Sequence, residues 1–139
     1  MINKFNIFKN WLKKQTEYDC VDLGSIEQIG NDLFKVEGME FVVYTTTEAK
    51  KAITDYISES LCYFRPEFLS SYTGVDIKIF EILGDDERAN KGIKNIIEFN
   101  GSFKKFVACC IKEDGMGIFL SPYDGLCHIY NGLNIFRTN

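Results

Sequence analysis

"LCHIYNGLNIFR", residues 126–137, decides the fold. Two apolar runs flank Asn131-Gly132. Asn-Gly is the dipeptide that best accommodates the two positive φ angles of a two-residue hairpin loop. A loop of that length leaves one register: Tyr130 faces Leu133, Ile129 faces Asn134, His128 faces Ile135 and Cys127 faces Phe136. One face of the ribbon then carries His128, Tyr130, Leu133 and Ile135, the other Cys127, Ile129, Asn134 and Phe136. The chain has one histidine, and this register points it away from Cys127. A thiolate–imidazolium couple needs both groups within hydrogen-bond reach, so the pair is read as structural.

Just upstream, Pro122 and Gly125 mark a turn in "SPYDG", and "GIFL" (117–120) reads as a strand leading into it. At the other end of the chain, "YDCVDLG" (18–24), "DLFKVEG" (32–38) and "MEFVVYT" (39–45) read as three strands. Phe34 and Val36 alternate with Lys35 and Glu37, the pattern of a half-buried strand. Glu37-Gly38 suits a tight turn, and the two-sided apolar run 41–44 suits an interior strand.

Between these ends the period changes. Thr45-x-x-Glu48 is a capping box. Apolar residues from Ala49 to Phe64 then recur at helical spacing, and Pro66 is expected to end that helix. Residues 66–112 read as further helices broken at 73–74, 84–86 and 100–102. Asp85 or Asp86 is the expected cap of one and Ser102 of another. Residues 3–15, "NKFNIFKNWLKKQ", place Phe5, Phe8, Trp11 and Leu12 on one side of a basic helix. Such a helix either docks on its own domain or lies on a membrane, and docking is favoured. The expectation is one α+β domain over residues 1–139. Strands near both ends form one antiparallel sheet, the helical middle packs over it, and an amphipathic helix is appended over residues 1–16.

At 139 residues a chain buries about two thirds of its unfolded surface without metal or disulfide staples. The net charge is −4; residues 1–14 hold four lysines and no acid, which leaves the remainder at −8. That balance speaks against a chain whose work is neutralising phosphates, and no direct nucleic-acid contact is expected. Five cysteines with no C-x-x-C fit reduced thiols in a cytosol. No 18-residue apolar run offers a membrane span, and no apolar core follows the first lysine to make a signal peptide.

Nothing here spells out a chemistry. Asp76, Lys78 and Glu81 have the residue types of a metal-dependent nuclease, but they fall in a helix, where a solvated face is the simpler reading. Phosphate loops and G-x-S-x-G are absent. Cys109-Cys110 reads as small core residues. No catalytic, cofactor-binding or metal-ligating residue is assigned, and the polar side chains are expected to stay dispersed. Carboxylates gathered about a lysine in one cavity would instead favour an enzyme.

Residues 21–61, from "VDLGSIEQIG" through "EGMEFVVYTTTEAKK", and the segment "DGMGIFLSPYDG" (114–125) resemble a group of small phage and prophage proteins. The shared features are a D-L-G-x-I-E-x-I-G start, an E-G-x-E-[FY]-x-V stretch and a late S-x-Y-D-G. This chain has Met116 and Ile118 where that group commonly has Arg and His. The resemblance implies a mobile-element origin and cytoplasmic action in an infected bacterium. By analogy it suggests an inhibitor of host defence, anti-CRISPR proteins among them. The leading expectation is therefore a non-enzymatic protein that binds and blocks a host protein, with a CRISPR effector among the targets. Candidate contacts are the acidic residues Glu81, Asp85, Asp86 and Glu87 and the hairpin residues Tyr123, Asp124, His128 and Tyr130. The alternatives are a metal-dependent nucleic-acid enzyme and a regulator that self-associates through its N-terminal helix.

Overall fold

The first helix shows how the ends of the chain are organised. In the computed structural model, which describes residues 2–139, Asn3 accepts a hydrogen bond from the Asn6 amide at 3.0 Å and caps α1 (Lys4–Lys14). Lys13 and Lys14 occupy the last turn, where the helix dipole favours positive charge. Phe8, Trp11 and Leu12 are buried.

They are buried on a sheet. Strands β1 (Glu27–Ile29), β2 (Leu33–Val36), β3 (Met39–Tyr44), β4 (His128–Tyr130) and β5 (Leu133–Arg137) form one antiparallel sheet in the order β1-β2-β3-β5-β4. The pairings Phe34↔Phe41 and Val43↔Ile135 put Phe34, Val36, Phe41, Val43, Leu133 and Ile135 on the face that α1 covers. Phe8 stacks on Phe34 with ring centroids 4.8 Å apart and meets Phe41 at 5.2 Å. Trp11 stands edge-on to Phe41 at 5.9 Å. The amphipathic helix thus docks on its own sheet, as expected, and its stripe is spent there.

The C-terminal hairpin has the anticipated register at Tyr130↔Leu133, Ile129↔Asn134 and His128↔Ile135. Asn131 and Gly132 have φ of 49° and 78°, and Glu37 and Gly38 have 49° and 80°, so both tight turns use the left-handed pair. Opposite α1, buried Asn134 donates to Thr46 Oγ1 at 3.2 Å and lies 3.7 Å from the Cys127 thiol. Cys127 and Asn134 therefore share the face assigned to them.

The chain divides into two compact units. One runs to Lys51 and resumes over Gly115–Asn139; the other is Ala52–Asp114. Helix α2 (Thr46–Ser60) begins in the first and carries the chain into the second. The second is helical: α3 (Pro66–Thr73), α4 (Ile77–Leu83), α5 (Asn90–Phe99) and α6 (Phe103–Asp114). Phe106 gathers Phe64, Phe68 and Tyr72 around it, the last edge-on at 4.9 Å. Helix α7 (Met116–Leu120) belongs to the first unit.

Three expectations are corrected. Residues 18–24 form no strand. 3₁₀ turns at Thr16–Tyr18 and Leu23–Ser25 take their place, because the Asp22 carboxylate captures the Gly24 amide at 2.9 Å. The outer strand lies instead at Glu27–Ile29, where every residue is exposed and no alternation marks it. "GIFL" is helical. Gly117 is buried, and a Cβ there would sit 2.2 Å from the Gly125 carbonyl oxygen, so α7 lies directly on the following turn. Pro66 opens a helix rather than ending one. It occupies the first turn of α3, while α2 stops at Ser60. There Asn90 donates to the Glu59 carbonyl at 2.6 Å and accepts from the Cys62 amide at 2.7 Å, taking backbone groups that a continuing helix would use.

Phe8→Ala is expected to lower the unfolding free energy by about 3–5 kcal/mol, since a fully enclosed ring is removed. Ile129→Ala, at a side chain 74% exposed, changes it by less than about 0.5 kcal/mol. Urea titration checks both; equal losses would show that the α1–sheet face is not the core.

Candidate functional site

Helix α4 sets up the first candidate. Asp76 caps it, accepting from the Lys78 amide at 2.9 Å, and Phe80 is its buried residue. Ile79 and Ile82 are left outside, Ile82 at 80% exposed. Gly84, with φ of 69°, lets the chain leave the helix at once towards Asp85. The result is a cleft of ≈510 Å³ in the helical unit. Leu69, Phe80 and Ile93 form its buried floor, and Phe64 and Pro66 also line it. Glu81, Asp85, Tyr63 and Arg65 bring polar groups to the same cleft.

The four acidic candidates divide by what they touch. Glu81 and Asp85 line the cleft. Asp86 is engaged locally: it accepts from the Arg88 amide at 2.9 Å and pairs with the Arg88 guanidinium at 2.6 Å, which holds its carboxyl below the ordinary value. Glu87 accepts from the Tyr63 hydroxyl at 3.4 Å and pushes that phenol up. Burial pushes the Cys62 thiol up, so the cleft holds a neutral thiol rather than a thiolate. Cys110, buried in α6, is pushed up by burial to about 12.

The hairpin candidates belong to the sheet unit. Tyr123 is exposed, with the Arg137 guanidinium 3.5 Å from its ring centroid. The Asp124 carboxylate accepts from Ser121 Oγ at 2.8 Å and from the Leu126 amide at 3.0 Å, which fixes the turn. His128 is half-buried, 5.2 Å from the Trp11 ring. Tyr130 packs against the core beneath Lys14. Of the nuclease-type trio, Asp76 is spent on its cap and Glu81 lies at the cleft. Among the described residues, no three His, Cys, Asp or Glu side chains are grouped to hold a metal ion.

One convergence was not expected. Lys4 Nζ bonds Asp32 Oδ1 at 2.5 Å and Glu48 Oε1 at 2.8 Å, with the lysine side chain only 12% exposed. Glu48 is also the capping-box acid: the Thr45 amide donates to it at 2.8 Å, and its own amide donates to Thr45 Oγ1 at 3.2 Å. Polar side chains therefore do gather, against the expectation of dispersal. Lys4 and Glu48 line a cavity of ≈590 Å³ with Ile2, Asn3, Gln28 and Asn31. Burial alone would lower the Lys4 pKa, but the two carboxylates outweigh it and hold the ammonium above 10.5. Lys4 in turn holds the Glu48 carboxyl below 4.5. A lysine held charged is neither a base nor a nucleophile near neutral pH, so the group acts as a clamp between α1, the β1–β2 loop and the start of α2.

No helix among the described residues is long and apolar enough to cross a membrane. Comparison of the chain with protein-family models, curated proteins and solved structures found no match.

Lys4→Met leaves two carboxylates side by side without their cation. It is expected to cost about 1–3 kcal/mol near neutral pH, between the values for exposed and buried pairs. The signs follow from the two shifts. The stability Glu48 contributes is present above 4.5 and lost as pH falls through its lowered folded value; that of Lys4 is present below 10.5 and lost as pH rises through its raised one. Urea unfolding from about pH 3 to pH 7 should therefore show a shallower acid decline in Lys4→Met than in the parent. Parallel curves would remove the clamp.

Proposed function

We propose that this protein is a non-enzymatic binding protein that captures a basic surface of a partner and blocks it. The carrying observation is the cleft in the helical unit. Glu81 and Asp85 stand beside an apolar floor, Tyr63, 60% exposed, lines the same cleft, and Ile82, 80% exposed, follows Glu81 on α4. Large apolar groups left in water beside fixed negative charge have the makeup of a contact surface: charge guides the encounter and the apolar groups hold it. The acidic excess outside the N-terminal helix extends that field. The resemblance of residues 21–61 and 114–125 to phage and prophage proteins supplies the biological setting: action in the bacterial cytoplasm against a host protein that handles nucleic acid, CRISPR effectors included. Such proteins carry basic grooves, and an acidic chain can occupy one in place of phosphate.

A second reading rests on the carboxylates gathered about Lys4. That cavity would serve a nucleic-acid enzyme if a divalent cation displaced the ammonium from between Asp32 and Glu48. Incubation with single- and double-stranded DNA and RNA plus Mg²⁺ or Mn²⁺ separates the two. Cleavage that Glu48→Gln abolishes would replace the binding reading. Self-association through α1 has less to act with, because Phe8, Trp11 and Leu12 are already buried in their own unit.

Expressed in a bacterium with an active nucleic-acid-targeting defence, the protein should raise phage plating efficiency. The double variant Glu81→Lys, Asp85→Lys should lose that effect while staying folded, because both side chains are exposed. The partner retained on a column of the parent protein should elute with rising salt and be missing from a column of the variant. Unchanged plating together with no retention at low salt overturns the proposal.

A further inference from the structure

We infer that the cleft of the helical unit is an arginine pocket: it takes the side chain of one arginine projecting from the partner, with the guanidinium between Glu81 and Asp85. The inference rests on the binding reading above and names the group recognised. Three features of the cleft select that side chain. Over a closed floor of Leu69, Phe80 and Ile93, the half-buried Phe64 and Pro66 present apolar surface along which methylene groups can lie, and which offers nothing to a short polar residue. Its acids come from two places, Glu81 on α4 and Asp85 just past the Gly84 turn, so a ligand with several donors in one plane can meet both. Aromatic rings of Tyr63 and Phe64 also line it, and a weakly hydrated planar cation stacks on such rings at a lower desolvation cost than an ammonium. A carboxylate-bearing ligand is repelled, and a purely apolar one would leave both acids facing it.

Arg65 lines the same cleft, so the wall holds two carboxylates against one guanidinium. The resident cation opposes an incoming one. Its neutralisation should therefore strengthen binding, an effect that a merely apolar pocket would not show.

The test uses the full chain and amide NMR titration with N-acetyl-arginine methylamide. The citrulline analogue, neutral and nearly isosteric, and the lysine analogue are run beside it. Saturable shifts are expected at Tyr63, Leu69 and Ile93. The citrulline analogue should bind about tenfold more weakly, as for lost charge-assisted hydrogen bonds. Glu81→Gln with Asp85→Asn should weaken the arginine analogue by a similar factor and leave the citrulline analogue unchanged, while Arg65→Gln tightens the arginine analogue. Equal binding of arginine and citrulline analogues, shifts confined to other regions, or no shifts at all would overturn the pocket, and tighter binding of the lysine analogue would reassign it. These failures are distinct from failure of the binding reading. If the partner is still lost on charge reversal while the arginine analogue does not bind, the reading stands and the pocket falls.

Discussion

The sheet unit depends on one constraint: β5 is buried along Leu133–Phe136, and its neighbour β3 lies some ninety residues earlier in the chain. Closing a loop of that size is entropically unfavourable, though the cost grows only slowly with length. It is offset by the aromatic layer on the face that α1 roofs. Phe8, Phe34 and Phe41 form its centre, with Trp11 and Tyr18 at its margin. The hairpin turns and the capping box shape the pieces, but each is worth about 1 kcal/mol and none could bring the two ends together. The Lys4 clamp has a different effect. It contributes geometry more than energy, because the same lysine fixes where α1 begins, where the β1–β2 loop sits and where α2 starts.

What the sequence revealed follows from how local each signal is. The Asn131-Gly132 register and the Thr45–Glu48 box were legible because their chemistry acts across two or three residues. The C-terminal turn was legible, but the element before it was not. A four-residue apolar run has no period, and the helix there depends on Gly117 meeting the Gly125 backbone, a contact invisible in the run itself. Strand β1 has every side chain in water, so nothing in its pattern announces it. The Lys4 group was illegible for the plainest reason: its partners are 28 and 44 residues away.

The acidic candidates show the same rule within one short stretch. Composition marks Glu81, Asp85, Asp86 and Glu87 as a cluster, yet only backbone geometry sorts them. Asp86 sits where a 3₁₀ turn needs a cap and where Arg88 can fold back on it, so its charge is largely neutralised on the spot. Glu87 meets Tyr63. Gly84 turns the chain so that Asp85 joins Glu81 at the cleft. A hairpin residue such as Asp124 looks equally available in the sequence, but the turn uses it.

The two acid-bearing sites differ in what they still have to offer. In the sheet unit, each carboxylate beside Lys4 already has an ammonium bonded to it, and Glu48 has a backbone amide as well. Chemistry there would first have to break those bonds, which hold the Lys4 ammonium and the Glu48 carboxylate in their charged forms. In the helical unit, Glu81 and Asp85 are exposed beside apolar groups that folding has left in water. Burying such groups against a complementary surface gains free energy that this chain cannot gain alone. That unspent free energy points outward and towards positive charge, and the proposed binding reading draws on it.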